Sequence, residues 1–60
     1  MFSAADKLKC VVRELKLRHR VYARRVAAGI MHRATAAHEI EVMEEIVKDY
    51  EKRVEEERLI

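Results

Sequence analysis

The chain divides at its single glycine, Gly29, into a basic half and an acidic half. Residues 1–33 contain nine Lys or Arg and two acidic residues, a net charge of +7. Residues 34–60 contain four basic and nine acidic residues, a net charge of −5. Both halves also carry apolar residues at alternating steps of three and four, which is typical of packed helices. The pattern therefore predicts a basic helix folded back on an acidic one.

Each half has one row of core positions with this spacing. In the first half the row is Ala5, Leu8, Val12, Leu15, His19, Tyr22 and Val26, with a histidine in an otherwise apolar place. In the second half the row is Ala36, Ile40, Met43, Val47, Tyr50 and Val54. Ser3 is expected to cap the first helix, with Asp6 at the third helical position, and Gly29 to end it.

These signals predict an all-α fold, an antiparallel two-helix hairpin with coiled-coil-like packing. Helix 1 is expected over residues 4–28, the turn over 29–32 and helix 2 over 33–57, in a single domain spanning 1–60. If the chain folds back at residue 31, positions that sum to 62 face each other, from Val26 with Ala36 to Leu8 with Val54. Three cross-helix ion pairs then follow, Lys9 with Glu51, Lys16 with Glu44 and Arg25 with Glu39.

The small size of the chain favours self-association. A 60-residue chain buries only about 60% of its unfolded surface and is marginally stable alone. Its single cysteine excludes an internal disulfide, so no covalent link compensates for the small core.

The sequence also favours a location in the cytoplasm. No apolar run is long enough to span a membrane, and the N-terminus lacks a secretory signal.

A second apolar stripe on helix 1 predicts where a partner binds. Cys10, Leu17, Val21 and Ala28 lie opposite the core row, and a helix that is apolar on two faces is usually buried on both. We expect a homodimeric four-helix bundle, with helix 1 on the inside. The predicted interface residues are Cys10, Val11, Leu17, Val21, Arg24 and Ile46. Two alternatives stay open, a surface for a different protein and scattered apolar residues without a role.

No constellation of residues indicates an enzyme, a cofactor or a metal site. His38, Glu41 and Glu45 share one helical face, but that face points outward, and acidic helices produce such groups by coincidence. Cys10 is more typical of an interface thiol than of a nucleophile. His19, within the core row, is the one residue for which a pH-sensing role is a hypothesis.

Nucleic acid is the main alternative partner, because basic residues follow one side of helix 1. A basic helix can lie along a phosphate backbone, and the contacts would be Arg13, Lys16, Arg20 and Arg24. The acidic second helix and the lack of interleaved aromatic residues weigh against this interpretation. A membrane-surface role ranks lower still, because the apolar stripe is thin and lacks Trp or Phe.

The order of residues across positions 7–50 resembles small, uncharacterised helical proteins encoded by bacteriophages and prophages of proteobacteria. The resemblance rests on Lys7-Leu8, Cys10, Arg13-Glu14-Leu15, Arg18, Val21-Tyr22, Arg24, Val26-Ala27, Gly29, Met31, Ala37, Glu39-Ile40, Met43-Glu44, Ile46 and Asp49-Tyr50. The chain departs from that pattern at Ala23, Arg25 and His32-Arg33, where those proteins tend to have proline, tryptophan and Ser or Thr followed by Gln.

The resemblance implies a phage setting and the cytoplasm of a bacterial host, and it brings no activity with it. Small phage proteins commonly act by binding a host or phage protein. We therefore predict a non-enzymatic protein-binding or structural and regulatory module that works as a homodimer. The alternative is an accessory protein that binds nucleic acid through the basic side of helix 1.

Overall fold

Two long helices make up most of residues 1–59, the part of the chain that a computed structural model describes. Helix α1 is Ala4–Ala27 and helix α2 is Arg33–Arg58. The molecule measures 48 × 16 × 14 Å, so the two helices lie side by side rather than end to end. The predicted helical hairpin is confirmed. Ile60, the last residue of the predicted domain, lies outside the described residues.

The two helices begin differently. At the start of α1, the Ser3 hydroxyl oxygen accepts a hydrogen bond from the backbone N–H of Asp6 at 3.1 Å, as expected of an N-cap serine. The Asp6 carboxylate also lies in the first turn, where the helix dipole favours a negative charge. At the start of α2, His32 forms no capping hydrogen bond and the first turn contains no acidic residue. The beginning of α2 is therefore the less stabilised of the two.

The chain reverses direction through a left-handed residue at Gly29, whose φ is +77°. The N–H of Gly29 donates to the Val26 carbonyl at 3.1 Å, and the N–H of Ile30 donates to the Arg25 carbonyl at 3.0 Å. This pair of bonds is the Schellman motif, which satisfies carbonyls left free at a helix C-terminus. A glycine is favoured here because an L side chain makes the left-handed conformation unfavourable.

The core between the helices is thin. Only Ala4, Ala36 and Met43 are buried, and no large side chain among residues 1–59 is fully enclosed. Nine further core positions of the two rows are half-buried. They are Leu8, Val12, Leu15, Tyr22, Val26, Ile40, Val47, Tyr50 and Val54. The hairpin thus follows the predicted core rows, but it leaves much of each core side chain in contact with solvent.

Two positions of the first row differ from the prediction. Ala5 is exposed and its neighbour Ala4 is buried instead, while His19 is exposed and Arg18 is half-buried. A strict seven-residue repeat drifts by about 20° per heptad on a helix with 3.6 residues per turn. Position 5 is therefore rotated away from α2 in the first heptad, and position 4 takes its place. The hypothesis that His19 is a core histidine is wrong.

The predicted cross-helix ion pairs are also wrong. Within residues 1–59, one salt bridge is present, between Arg58 and Glu55 of α2 at 3.6 Å. The three expected pairs, Lys9–Glu51, Lys16–Glu44 and Arg25–Glu39, do not come within 4 Å. Exposed pairs of this kind contribute only about 0–1 kcal/mol, which does not offset the entropy of holding two long side chains in place. The basic residues of α1 consequently remain available to other partners.

Candidate protein interface

The hairpin exposes more surface than a compact protein of its mass. Its accessible surface is 5146 Å² for 7.1 kDa, whereas a compact monomer of that mass would expose about 4,100 Å². The radius of gyration is 14.1 Å, against about 10 Å for a compact 60-residue domain. The excess of about 1,000 Å² per chain is comparable to the area that one partner contributes to a stable interface, about 800 Å².

One side of the hairpin carries a shallow groove between the helices near the turn. Its volume is about 520 Å³. It is lined by His19, Tyr22, Ala23, Val26 and Ala27 of α1 and by Arg33, Ala36, Ala37 and Ile40 of α2. Val26, Ala36, Tyr22 and Ile40 thus lie around one groove, in keeping with the predicted antiparallel register. Alanines on both helices leave it open.

The opposite side carries a second set of apolar side chains. Because α1 turns 100° per residue, Val11 and Val21 lie on the side of α1 away from His19 and Ala23. Ile46 and Val42 lie on the side of α2 away from Ala37, by the same argument. We call this surface the apolar face and define it by Cys10, Val11, Leu17, Val21, Val42 and Ile46.

The six predicted interface residues belong to the apolar face or to its border. Val11, Val21 and Ile46 are half-buried beside the core, whereas Leu17 is 42% exposed and Cys10 is exposed. Leu17 and Cys10 lie further round α1, toward the side turned away from α2. Arg24 is exposed at the outer border. Helical rotation therefore places Val11, Val21 and Ile46 beside the core, and Cys10, Leu17 and Arg24 toward the outer side of α1.

The structure adds two apolar residues that the predicted interface omits. Val42 is 42% exposed and lies one helical turn before Ile46 on the same side of α2. Phe2, 77% exposed, lies with Asp6, Lys7 and Cys10 around a depression of about 350 Å³ at the N-terminal end of the face. The spacing from Ile46 is the sequence signal for Val42. Phe2 precedes the first helix, so helical periodicity does not indicate its location.

The outer side of α1 is basic. Arg13, Lys16, Arg20 and Arg24 are all exposed and follow each other at helical spacing. One guanidinium nitrogen of Arg13 lies 3.9 Å from the Cys10 sulfur. None of these four residues pairs with a carboxylate in the part of the chain that the structure describes. Their charges are therefore directed to solvent, as a phosphate-binding surface would require.

The histidine and carboxylate group on α2 lies around a shallow depression. His38, Glu41 and Glu45 border a depression of about 450 Å³. No group of three or more His, Cys, Asp or Glu side chains among residues 1–59 is arranged to hold a metal ion. Over the same residues, neither helix combines the length and the apolar character needed to cross a membrane.

Comparison with known proteins leaves the chain without an identified family. It matches no known family model, no curated protein and no solved structure. The resemblance to phage-encoded helical proteins stays a prediction. The surfaces of the hairpin are therefore the main indication of its function.

Proposed function

We propose that this protein is a non-enzymatic protein-binding or structural and regulatory module that works as a homodimeric helical bundle. The observation that carries the proposal is the thin core. A chain that encloses no large side chain within residues 1–59 gains little stability from folding alone. A second copy would cover the excess surface of both chains and complete the core.

The apolar face is the surface that a second copy would cover. Both helices present β-branched or leucine side chains there, including the exposed Leu17 and Val42, whereas alanines of both helices line the groove on the other side. Burying apolar area contributes about 25 cal/mol per Å², so even half of a 1,000 Å² excess would contribute about 12 kcal/mol per chain before entropic losses. That gross contribution is large enough to favour association at micromolar concentration.

Two pairs of substitutions on α1 test this proposal. Leu17→Glu with Val21→Glu adds two charges to the apolar face. Ala23→Glu with Ala27→Glu is the matched control. It changes two residues of the same helix, also four positions apart, and adds the same charge, but on the groove side. We expect the first pair to abolish the dimer and the control pair to retain it, as measured by solution mass.

The single change Leu17→Glu separates association from folding, because this side chain is 42% exposed in the hairpin. It should lower the dimer fraction while the helix content of the chain at high concentration is retained. A Leu17→Glu/Val21→Glu variant with the mass and stability of the unmodified chain would refute the proposal. If instead only Ala23→Glu with Ala27→Glu dissociates the dimer, the interface lies at the groove, and this result would also refute the proposal.

The dimer would in turn present its outer surfaces to other molecules. The resemblance to phage proteins supports a host or phage protein as the partner and the cytoplasm of a bacterial host as the setting. The exposed arginines at the border of the apolar face are residue types that are enriched in protein interfaces.

The second candidate function is nucleic-acid binding through the basic outer side of α1. The unpaired row formed by Arg13, Lys16, Arg20 and Arg24 favours it. If this function is correct, labelled duplex DNA binds at low ionic strength and the affinity falls steeply with added salt. Substituting Arg13 and Arg20 by Gln should then reduce the salt dependence. A chain that does not bind DNA at low salt excludes this function.

A further inference from the structure

The net positive charge of the chain is concentrated where the hairpin turns. Residues 24–38, which are the turn and the helix ends on either side of it, contain three arginines and no acidic residue. Their net charge is +3, whereas the whole chain has +2, so the rest of the chain carries −1. We call this surface the turn end and define it by Arg24, Arg25 and Arg33. All three are exposed, and none forms a salt bridge within residues 1–59.

The basic row on the outer side of α1 is therefore not equivalent along its length. In the antiparallel register around the groove, residues 13–23 of α1 lie level with residues 39–49 of α2. That part of α2 contains five acidic residues and one lysine. Packed helices lie about 8–10 Å apart, within about one Debye length at 0.1 M salt, so these acids offset the positive potential of the row. Arg24 is the one member of the row beyond Glu39, the acid of α2 nearest to the turn.

We infer that the turn end is the site at which this protein binds the phosphate backbone of nucleic acid. This inference rests on the second candidate function and specifies its site. Arg24, Arg25 and Arg33 contact phosphates, whereas the other members of the basic row contribute less. Contacts between basic side chains and phosphates supply essentially all of the affinity of sequence-independent binding. A polyanion is attracted to the turn end without meeting an acidic side chain there, so this is where it gains most.

The shape of the hairpin favours contacts to phosphates over contacts to bases. Its cross-section is 16 × 14 Å, whereas the major groove of duplex DNA is about 12 Å wide. The turn end therefore lies across the groove, against the phosphates that border it, where a planar guanidinium can donate two hydrogen bonds to one phosphate. The site also stays open in the proposed dimer, because Arg33 lines the groove on the side away from the apolar face.

The apolar part of the turn end is too small to favour a lipid surface. Ile30, 75% exposed, is the one large apolar side chain of residues 24–38 that is strongly exposed. Attachment to a membrane surface strengthens with the apolar area that is buried as well as with the attraction to anionic lipids. A single isoleucine supplies little of the first term, so nucleic acid is the polyanion that fits this surface better.

Two matched pairs of substitutions test the site. Arg24→Gln with Arg33→Gln removes two charges from the turn end, and Arg13→Gln with Arg20→Gln removes two from the rest of the basic row. All four arginines are exposed, so both variants should keep the helix content and the solution mass of the native chain. Fluorescence anisotropy with a labelled DNA duplex gives the association constant at several salt concentrations. The slope of its logarithm against the logarithm of salt concentration should become shallower by about 1.8 for the turn-end pair, about 0.9 per lost phosphate contact, and by clearly less for the row pair.

Each other outcome has a separate meaning. If the row pair loses as much of the slope as the turn-end pair, or more, the inference is overturned and nucleic-acid binding stands. If the native chain does not bind the duplex at low salt, the second candidate function is excluded together with the inference. Phosphatidylserine vesicles in the same buffer test the lipid alternative. A chain that sediments with the vesicles but does not bind DNA, and that loses this attachment in Ile30→Ser, would overturn the inference in favour of a membrane surface.

Discussion

Replacing Gly29 by alanine should destabilise the hairpin through its backbone alone. The φ of this residue is +77°, and a Cβ built there meets no atom within 4 Å, so a steric clash does not contribute. The left-handed conformation is less favourable for an L residue by about 1–2 kcal/mol. Alanine recovers up to about 1 kcal/mol of this, because it restricts the unfolded chain more than glycine does. The net expected loss is about 1 kcal/mol per chain.

Urea unfolding followed by circular dichroism, at one fixed chain concentration, measures this change. The concentration must be fixed because association is coupled to folding. For a domain of this size, about 1 kcal/mol also lowers the thermal midpoint by about 4–8 °C. Chemical synthesis of the 60-residue chain allows D-alanine at the same position as the control. Since the positive φ suits a D residue, Gly29→D-Ala should be at least as stable as the native chain.

Comparing the two alanine isomers isolates the effect of backbone handedness at position 29. If the L and D forms are equally destabilised, backbone handedness is not the origin of the lost stability. In that case the Schellman geometry at Gly29 and Ile30 does not stabilise the turn. An L-alanine variant as stable as the native chain would mean that the turn tolerates a right-handed residue. The hairpin connection would then differ from the one described here.

Three further predictions concern the helix start, the core and the interface. His32→Asp supplies the missing N-cap and a negative charge at the start of α2, so it should raise the free energy of unfolding by about 0.5–2 kcal/mol. Urea titrations measure this change, and an unchanged urea midpoint would contradict the prediction. Met43→Ala removes the one large buried side chain of the described residues and should lower the free energy of unfolding by about 2–5 kcal/mol. A loss below about 1 kcal/mol would mean that Met43 is not part of the core. Val42→Glu places a charge on the α2 part of the apolar face and should weaken the dimer about tenfold in sedimentation experiments. An unchanged dissociation constant would exclude Val42 from the interface.

Much of the fold is predictable from the sequence because its signals are local. The three-and-four spacing, the capping serine Ser3 and the glycine at the turn each act within a few residues. The structure has α1 ending at Ala27 and α2 ending at Arg58, each one residue from the predicted end. Such small differences are usual where helix ends fray.

The incorrect details depend on rotation and side-chain freedom rather than on periodicity. Ala4 replaces Ala5 in the core because a straight helix drifts out of a seven-residue repeat. His19 is exposed beside a groove that Ala23 and Ala37 leave open. The expected ion pairs do not form because exposed Lys, Arg and Glu side chains gain little from one fixed geometry. The predicted interface depends on a partner, which a single chain does not contain.

The solution mass of the unmodified chain shows whether the hairpin forms a dimer. Sedimentation equilibrium from low to high micromolar concentration gives this mass, which is compared with the 7.1 kDa of one chain. We expect twice that mass at the upper concentrations, with helix content that falls as the dimer dissociates on dilution. A fully folded species with the mass of one chain across the whole range would exclude the dimer, because the hairpin would then be stable with its apolar face uncovered.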